Sequence, residues 1–197
     1  EDLDGIADLA KAVIEAYYEN PNRQKGRAPS VTVSVSCFIP KPFTPFQWEA
    51  QISFDEMLRR QKLLRNALRE IKGVSFSWHG AETSVLEVVL ARGDQKLAPV
   101  IARAYELGAK FDSWSEYFSW DIWTEAFNDC GVDMQDYINE IPEDKALPWD
   151  FIDIGVTKEF LKKEWETAMA EKVTPNCRTQ CAGCGAAIYG GGVCFES

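Results

Sequence analysis

The spacing of hydrophobic and polar residues changes along the first 80 residues and predicts alternating helices and strands. Apolar residues recur at helical spacing over residues 4–19, with Asp4 as the predicted N-cap. Residues 31–39 begin with strict alternation, which predicts a strand. A second helix is predicted over 53–71 and a second strand over 74–79. The order helix, strand, helix, strand is typical of a parallel sheet with crossover helices.

The rest of the chain predicts mainly helices. Ser84 with Glu87, and Ser113 with Glu116, have the spacing of capping boxes and predict two helix starts. The predicted helices cover residues 84–92, 97–107, 113–130, about 133–139 and 157–171. Aromatic residues in the third of these helices are expected to pack in a core.

A proline-rich segment follows the first predicted strand. Residues 40–48, with the sequence PKPFTPFQW, hold three prolines within six residues. Proline removes a backbone donor and fixes φ, so regular structure is excluded there. We expect a stiff, extended loop that leaves the carboxyl end of the strand.

Composition narrows the class of protein. The chain has 197 residues and is 46% hydrophobic, enough for one domain or for a domain with an appendage. Its net charge of −10 argues against a nucleic-acid-binding surface, which needs clustered Lys and Arg. No apolar run reaches the roughly 18–20 residues of a membrane-spanning helix. We therefore expect neither a membrane nor a nucleic acid as partner.

The cysteines near the end of the sequence suggest a metal site. Cys177, Cys181 and Cys184 have the spacing C-x3-C-x2-C, and Cys194 is a candidate fourth ligand. Four thiolates suit zinc or an iron–sulfur cluster, while disulfides and free thiols are the alternatives. Four of the six cysteines lie in the last 21 residues, and such clustering favours a reducing compartment. We therefore expect a cytoplasmic protein.

Three further features have both a functional and a structural interpretation. Cys37 and His79, the only histidine, lie at the ends of the two predicted strands, where parallel sheets usually present functional groups. The simpler interpretation is an inert thiol and a structural histidine. The sequence Arg92-Gly93-Asp94 resembles an adhesion motif, but its position between two helices favours a role in ending one and capping the next.

Several segments resemble one family. Residues 33–48, VSVSCFIPKPFTPFQW, resemble the late barrel strand of radical S-adenosylmethionine (radical SAM) proteins, especially those usually fused to a cobalamin-binding-like N-terminal domain. Further segments resemble the same proteins in family order: residues 1–6, 84–87 with 90–94, 111–114, 147–150 with 152–156, and 176–178.

This resemblance implies an α/β fold with three parts. Residues 1–80 would form the last βα units of a partial (βα) barrel, 81–172 a mostly helical C-terminal region, and 173–197 a Cys-rich metal-binding tail. A [4Fe–4S] cluster and S-adenosylmethionine would be held mainly by an N-terminal part of the same protein, which is the expected partner. The chain would then be a catalytically incomplete fragment of the enzyme, and its tail cysteines would not bind the radical-generating cluster.

The resemblance also implies a pocket. Ser36, Cys37, Pro40, Lys41 and Thr44 would lie at the barrel mouth and line a site for S-adenosylmethionine or substrate. Cys37 stands where the family is expected to have Ser or Thr. The substrate, small molecule or macromolecule, stays open. The alternative function is a non-catalytic interaction module with zinc on the tail.

Overall fold

The computed structural model describes residues 2–24, 26 and 28–189. The chain divides into two compact units. The first unit contains residues 1–38 and 52–86, and the second contains 39–51 and 87–197.

The first unit is built on a parallel pair of strands. Helix α1 (Asp2–Glu19) precedes strand β1 (Val31–Val35), and helix α2 (Phe54–Arg69) connects β1 to strand β2 (Val74–Trp78). The two strands pair in parallel, with Val31 opposite Val74. The predicted alternation of helix and strand is confirmed, although β1 ends four residues earlier than predicted.

One face of this sheet is covered and the other is polar. Ala7 and Ala10 of α1 pack with Leu64 and Leu68 of α2 in a buried cluster. The half-buried side chains that pack against this cluster are Ile6, Val33, Val35, Ile71, Val74 and Phe76. The opposite face carries exposed hydroxyl side chains, which are Thr32, Ser34, Ser75 and Ser77. The sequence alternation thus separates an apolar face from a hydroxyl-bearing face.

Of the three N-caps predicted in the first unit, one is confirmed and two are wrong. Ser53 caps α2 as expected, because its hydroxyl accepts a hydrogen bond from the Glu56 backbone N–H at 3.3 Å. Asp4 is not an N-cap, since α1 already includes Asp2. Ser84 is not one either: helix α3 (Ala81–Arg92) begins before it, and its hydroxyl donates to the Gly80 carbonyl at 2.8 Å. Ser84 therefore bonds one turn back along the helix instead of opening it.

The second unit contains the remaining helices. They are α4 (Leu97–Leu107), α5 (Trp120–Cys130), α6 (Gln135–Ile138), α7 (Lys158–Met169) and a 3₁₀ turn (Ala186–Tyr189). Gly108 and Gly131 end α4 and α5 with φ of 111° and 62°, the left-handed region that glycine adopts most readily. Both predicted helix ends are confirmed.

The predicted helix start at Ser113 is wrong. Residues 112–117 form turns and a bend, and α5 begins only at Trp120. Phe111 has a φ of 60°, and the backbone N–H of Trp114 donates to the Phe111 carbonyl three residues back, so the chain turns there instead of entering a helix. Trp114 is exposed, whereas Trp123 and Phe127 are buried as expected. Only the second half of the aromatic run therefore packs in a core.

A tryptophan-rich core stabilises the second unit. Trp48, Leu147, Trp149 and Leu161 form its buried cluster. None of the helices in the described part of the chain is long and apolar enough to cross a bilayer.

Candidate functional site

The proline-rich segment is a compact series of turns, not the extended loop that was predicted. The Thr44 hydroxyl donates to the Lys41 carbonyl at 2.7 Å, and the Lys41 ammonium pairs with the carboxylate of Glu87. Phe43 has a φ of 60°, and its N–H donates to the Gln47 side-chain oxygen at 3.1 Å. Side chains from within the segment thus hold the turns that the prolines permit.

Gln47 links this segment to a distant part of the sequence. Its side chain is 2% exposed, and the oxygen that accepts from Phe43 N–H also accepts from the Trp149 indole N–H at 2.8 Å. One buried amide oxygen therefore fixes both the strained turn at Phe43 and the orientation of Trp149. Residues 102 positions apart in the sequence meet at this point.

Arg92 is a second buried link. Its guanidinium donates to the Glu49 carbonyl through Nη1 at 2.9 Å and to the Asn139 carbonyl through Nη2 at 3.0 Å. The residue is 1% exposed, and its Nε has no hydrogen-bond partner within the described residues. Burial lowers the pKa of Arg92. The burial of Arg92 excludes an exposed adhesion motif. Arg92 lies in the last turn of α3, as predicted, and its guanidinium also bonds to two other segments.

The residues after Arg92 are equally constrained. A β-carbon on Gly93 would lie 2.0 Å from the Leu97 Cδ1 atom, so only glycine fits there without movement. The Asp94 carboxylate accepts from Lys96 N–H at 2.9 Å and from the Tyr137 hydroxyl at 3.1 Å. Burial, followed by the charge of Asp94, raises the pKa of Tyr137 to about 12. Asp94 supports the start of α4 as expected, although the N-cap position itself is Lys96.

These segments surround a cavity of about 910 Å³ in the second unit. Its lining comes from the proline-rich turns, the link between α3 and α4, helix α6 and the loop before α7. The lining residues are Pro42, Phe43, Ala91 to Lys96, Asp136, Tyr137, Ile141, Lys145 to Trp149, Phe151 and Ile152. The cavity therefore brings together three of the segments that the sequence analysis singled out: 40–48, 92–94 and 147–152.

In the first unit, the predicted site residues lie at the carboxyl ends of the strands. Ser36 is exposed and Cys37 is half-buried. The Gln61 amide of α2 donates to the His79 carbonyl at 2.9 Å and lies 3.9 Å from the Cys37 sulfur. Gln61 thereby connects the two strand ends, a role that the sequence did not indicate.

Three of the four tail cysteines lie within the described residues and differ in exposure. Cys177 and Cys181 are exposed and Cys184 is half-buried, while Cys194 lies outside the described residues. The Cys184 carbonyl accepts from the Thr157 N–H at 2.9 Å, which attaches this part of the tail to the start of α7. Within residues 2–24, 26 and 28–189, no three His, Cys, Asp or Glu side chains are placed to hold a metal ion. The thiol donors suit zinc or iron, but the described geometry does not by itself form a site.

Comparison with known proteins adds no relative: no family model, curated protein or solved structure matches this chain. Function is therefore inferred from the residues and their contacts.

The sequence around Gln47 and Arg92 carries a signal for burial. Gln47 stands between Phe46 and Trp48, and Arg92 ends the apolar helix α3. A polar residue within an apolar run is a candidate for a buried hydrogen-bonding position, because burial requires partners.

Proposed function

We propose that this chain forms the last βα units and the C-terminal region of a radical SAM enzyme. An N-terminal part of the same protein would hold the [4Fe–4S] cluster and most contacts to S-adenosylmethionine. The bound cluster would supply the electron for reductive cleavage of S-adenosylmethionine, and the resulting radical would abstract hydrogen from a substrate. The chain on its own is then catalytically incomplete.

The observation that carries this proposal is the polar face of the β1–α2–β2 unit. Parallel sheets in proteins normally have helices or other layers on both faces, and a pair of strands is a small sheet. Here one face carries exposed hydroxyl groups, and the Thr32 and Ser75 hydroxyls lie 3.0 Å apart on it. Further strands that extend this sheet into a barrel would turn that face inward, toward a ligand.

The second support is the packing of the resembling segments. In the second unit, Gln47 and Trp149 share a hydrogen bond, and Arg92 binds the Glu49 carbonyl next to the proline-rich turns. Segments from three regions of the sequence are thus one packed structure. Matches to a family that lie in contacting segments support the family assignment more strongly than isolated matches do.

Within this proposal, the five expected pocket residues take different roles. The hydroxyl of Ser36 and the thiol of Cys37 lie at the carboxyl edge of the sheet, where a barrel presents its ligand groups. Pro40 is buried, and Lys41 is engaged by Glu87. Ligand binding is proposed for Ser36 and Cys37 in the first unit, whereas Pro40, Lys41 and Thr44 belong to the rigid series of turns in the second unit.

The coding sequence upstream of Glu1 provides a first test. The proposal predicts a second C-x3-C-x2-C triplet there, in the loop after a predicted strand. A reading frame without such a triplet would exclude the radical SAM assignment.

A zinc-binding interaction module is the second candidate. The attachment of Cys184 to the start of α7 favours it, because a metal bound there would stabilise a tail already held at one point. Metal analysis of aerobically purified protein tests for zinc on the tail. We expect stoichiometric zinc, lost in the Cys177→Ser, Cys181→Ser double variant and retained in the control Cys130→Ser. An oxygen-labile brown chromophore in place of zinc would instead assign an iron–sulfur centre to the tail.

A further inference from the structure

We propose that an exposed aromatic patch between α4 and α5 binds a cationic, partly apolar segment of a partner protein. The patch is defined by Phe111, Trp114 and Tyr117, which belong to the first half of the aromatic run before α5. The proposal is independent of the radical SAM assignment, because it uses only residues 105–121 of the second unit.

The three rings of the patch present a large apolar surface to solvent. Phe111, Trp114 and Tyr117 are 72%, 61% and 59% exposed. Because a fully covered aromatic side chain buries about 150–250 Å², the three together leave about 300–500 Å² uncovered. The largest apolar patch of a typical monomer has a similar area, about 300–600 Å², and is often functional. This surface is enough for the centre of a standard protein interface, which takes about 800 Å² from each partner.

Successive turns of the backbone hold the rings together. The Trp114 N–H donates to the Phe111 carbonyl, and the Tyr117 N–H donates to the Trp114 carbonyl, both at 2.9 Å. A three-residue interval of this kind brings side chains to one side of the turns. The ring centres of Phe111 and Tyr117 are 6.0 Å apart. The rings therefore form one surface and not three separate exposed side chains.

The backbone at Phe111 is strained, and burial of its ring does not offset the cost. Its φ of 60° lies in the left-handed region, which is unfavourable for a residue with a β-carbon. The ring that this conformation positions stays mostly in solvent. Backbone strain of this kind is concentrated at ligand-binding and switch regions in proteins. The strain at Phe111 therefore favours a binding role for the patch.

The charges around the patch favour a cationic partner. Residues 110–121 contain three carboxylates, Asp112, Glu116 and Asp121, and one ammonium, that of Lys110. None of these carboxylates forms an ion pair within the part of the chain that the structure describes. The Lys110 ammonium lies 5.2 Å from the centre of the Tyr105 ring. Arginine suits such a surface best, because its guanidinium stacks on aromatic rings and pairs with carboxylates.

The same charges disfavour a second copy of this chain as the partner. Two patches placed face to face would bring the carboxylates of both copies together, and like charges across an interface are costly. The net charge of −10 on each chain adds to this repulsion. The patch therefore fits a different polypeptide, one that carries arginine or lysine beside apolar side chains.

Three synthetic peptides test this preference. The first combines leucine and arginine at helical spacing, the second has glutamate in place of every arginine, and the third has serine in place of every leucine. Anisotropy of each fluorescently labelled peptide is measured as the full chain is added at about 0.15 M salt, where distant charges are screened. We expect saturable binding of the leucine–arginine peptide with a Kd below about 1 mM, and binding about tenfold weaker or more for the other two.

Variants at exposed positions locate the binding surface. Trp114→Ala and Tyr117→Ala should each weaken binding of the leucine–arginine peptide about threefold to tenfold. Phe151→Ala, at an exposed aromatic residue elsewhere in the second unit, is the matched control and should bind like the wild type. Glu116→Gln should weaken binding about twofold to threefold, whereas Glu140→Gln, at another exposed carboxylate, should leave it unchanged.

Phe111→Gly separates binding from folding. Glycine adopts a φ of 60° without strain, and the ring that is lost lies mostly in solvent. We therefore expect a midpoint of urea denaturation equal to or above that of the wild type, together with weaker peptide binding. Unchanged binding of the leucine–arginine peptide by this variant would contradict the proposal.

Three further results would overturn the proposal. The leucine–arginine peptide does not saturate at about 1 mM, or the glutamate peptide binds as tightly. Trp114→Ala and Tyr117→Ala both bind the peptide like the wild type. Sedimentation shows a dimer of the chain that Trp114→Ala dissociates, which would mean that a second copy covers the patch.

Discussion

The hydrogen bonds of Gln47 give the most specific prediction about the second unit. Replacing Gln47 with Leu keeps the side chain's approximate size but removes the oxygen that accepts from Phe43 N–H and Trp149 Nε1–H. Both donors then lose their protein acceptor. We expect the variant to be clearly less stable than the wild type.

The magnitude follows from the burial of the two donors. An unsatisfied buried donor costs about 1–3 kcal/mol. The bond from Trp149 is buried, whereas the bond from Phe43 is only partly buried, so water recovers some of the second loss. The expected loss in free energy of unfolding is therefore about 2–4 kcal/mol, a large share of the roughly 5–15 kcal/mol of a typical domain.

Urea denaturation followed by circular dichroism measures this change, and a double-mutant cycle isolates the bond itself. Trp149→Phe removes the indole donor, and the double variant with Gln47→Leu completes the cycle. We expect a coupling energy of about 1–3 kcal/mol between the two positions. Gln180→Leu, at an exposed glutamine, is the control and should change stability by less than about 0.5 kcal/mol.

Two results would refute this reasoning. A Gln47→Leu variant as stable as the Gln180→Leu control would mean that Gln47 does not hold the two segments together. A coupling energy below about 0.5 kcal/mol would mean that the loss comes from packing and not from the hydrogen bond to Trp149.

Other predictions concern single positions. Gly93→Ala should lower the free energy of unfolding by about 1–3 kcal/mol, because its β-carbon would lie 2.0 Å from a leucine methyl. Gly5→Ala, with open space around it, should instead stabilise α1 by about 0.5–1 kcal/mol. The midpoints of urea denaturation distinguish the two variants. Thr157→Ala should cost about 0.5–2 kcal/mol by removing the cap of α7, and Thr157→Ser should restore most of it. Hydrogen bonds from Arg59 lower the pKa of Glu56 from 4.5 to about 2, so this carboxylate contributes stability above pH 4.5 that is lost as pH falls toward 2. An NMR titration of Glu56 that gives a pKa near 4.5 would contradict the last prediction.

The order of elements could be predicted because it depends on local periodicity. The period-two pattern of β1 and the helical spacing of α2 are visible in the sequence, and the parallel pairing follows from the helix between the strands. Helix ends at Gly108 and Gly131 were equally predictable, since left-handed backbone favours glycine.

Helix starts were less predictable because serine has several uses. Ser53 caps a helix, whereas Ser84 lies inside one and bonds the preceding turn, and the local sequences are similar. Choosing between these uses requires knowing where the helix begins, which for α3 is at Ala81, three residues before Ser84.

The candidate site was predicted only in part because it depends on contacts across long sequence distances. The proline-rich segment and Arg92 were singled out, but their contacts with Trp149 and Asn139 span 102 and 47 residues. Arg92 lies at the end of α3 as predicted, but its burial could not be judged from local spacing. Buried polar contacts of this kind appear only when the segments are brought together in three dimensions.

The production of 5′-deoxyadenosine tests the central claim most directly. The product of the complete reading frame and this chain alone would each be reconstituted anaerobically with iron and sulfide, then incubated with S-adenosylmethionine and a reductant. We predict 5′-deoxyadenosine from the complete product and none from this chain alone. Cleavage by this chain alone, or no cleavage by the reconstituted complete product, would contradict the assignment.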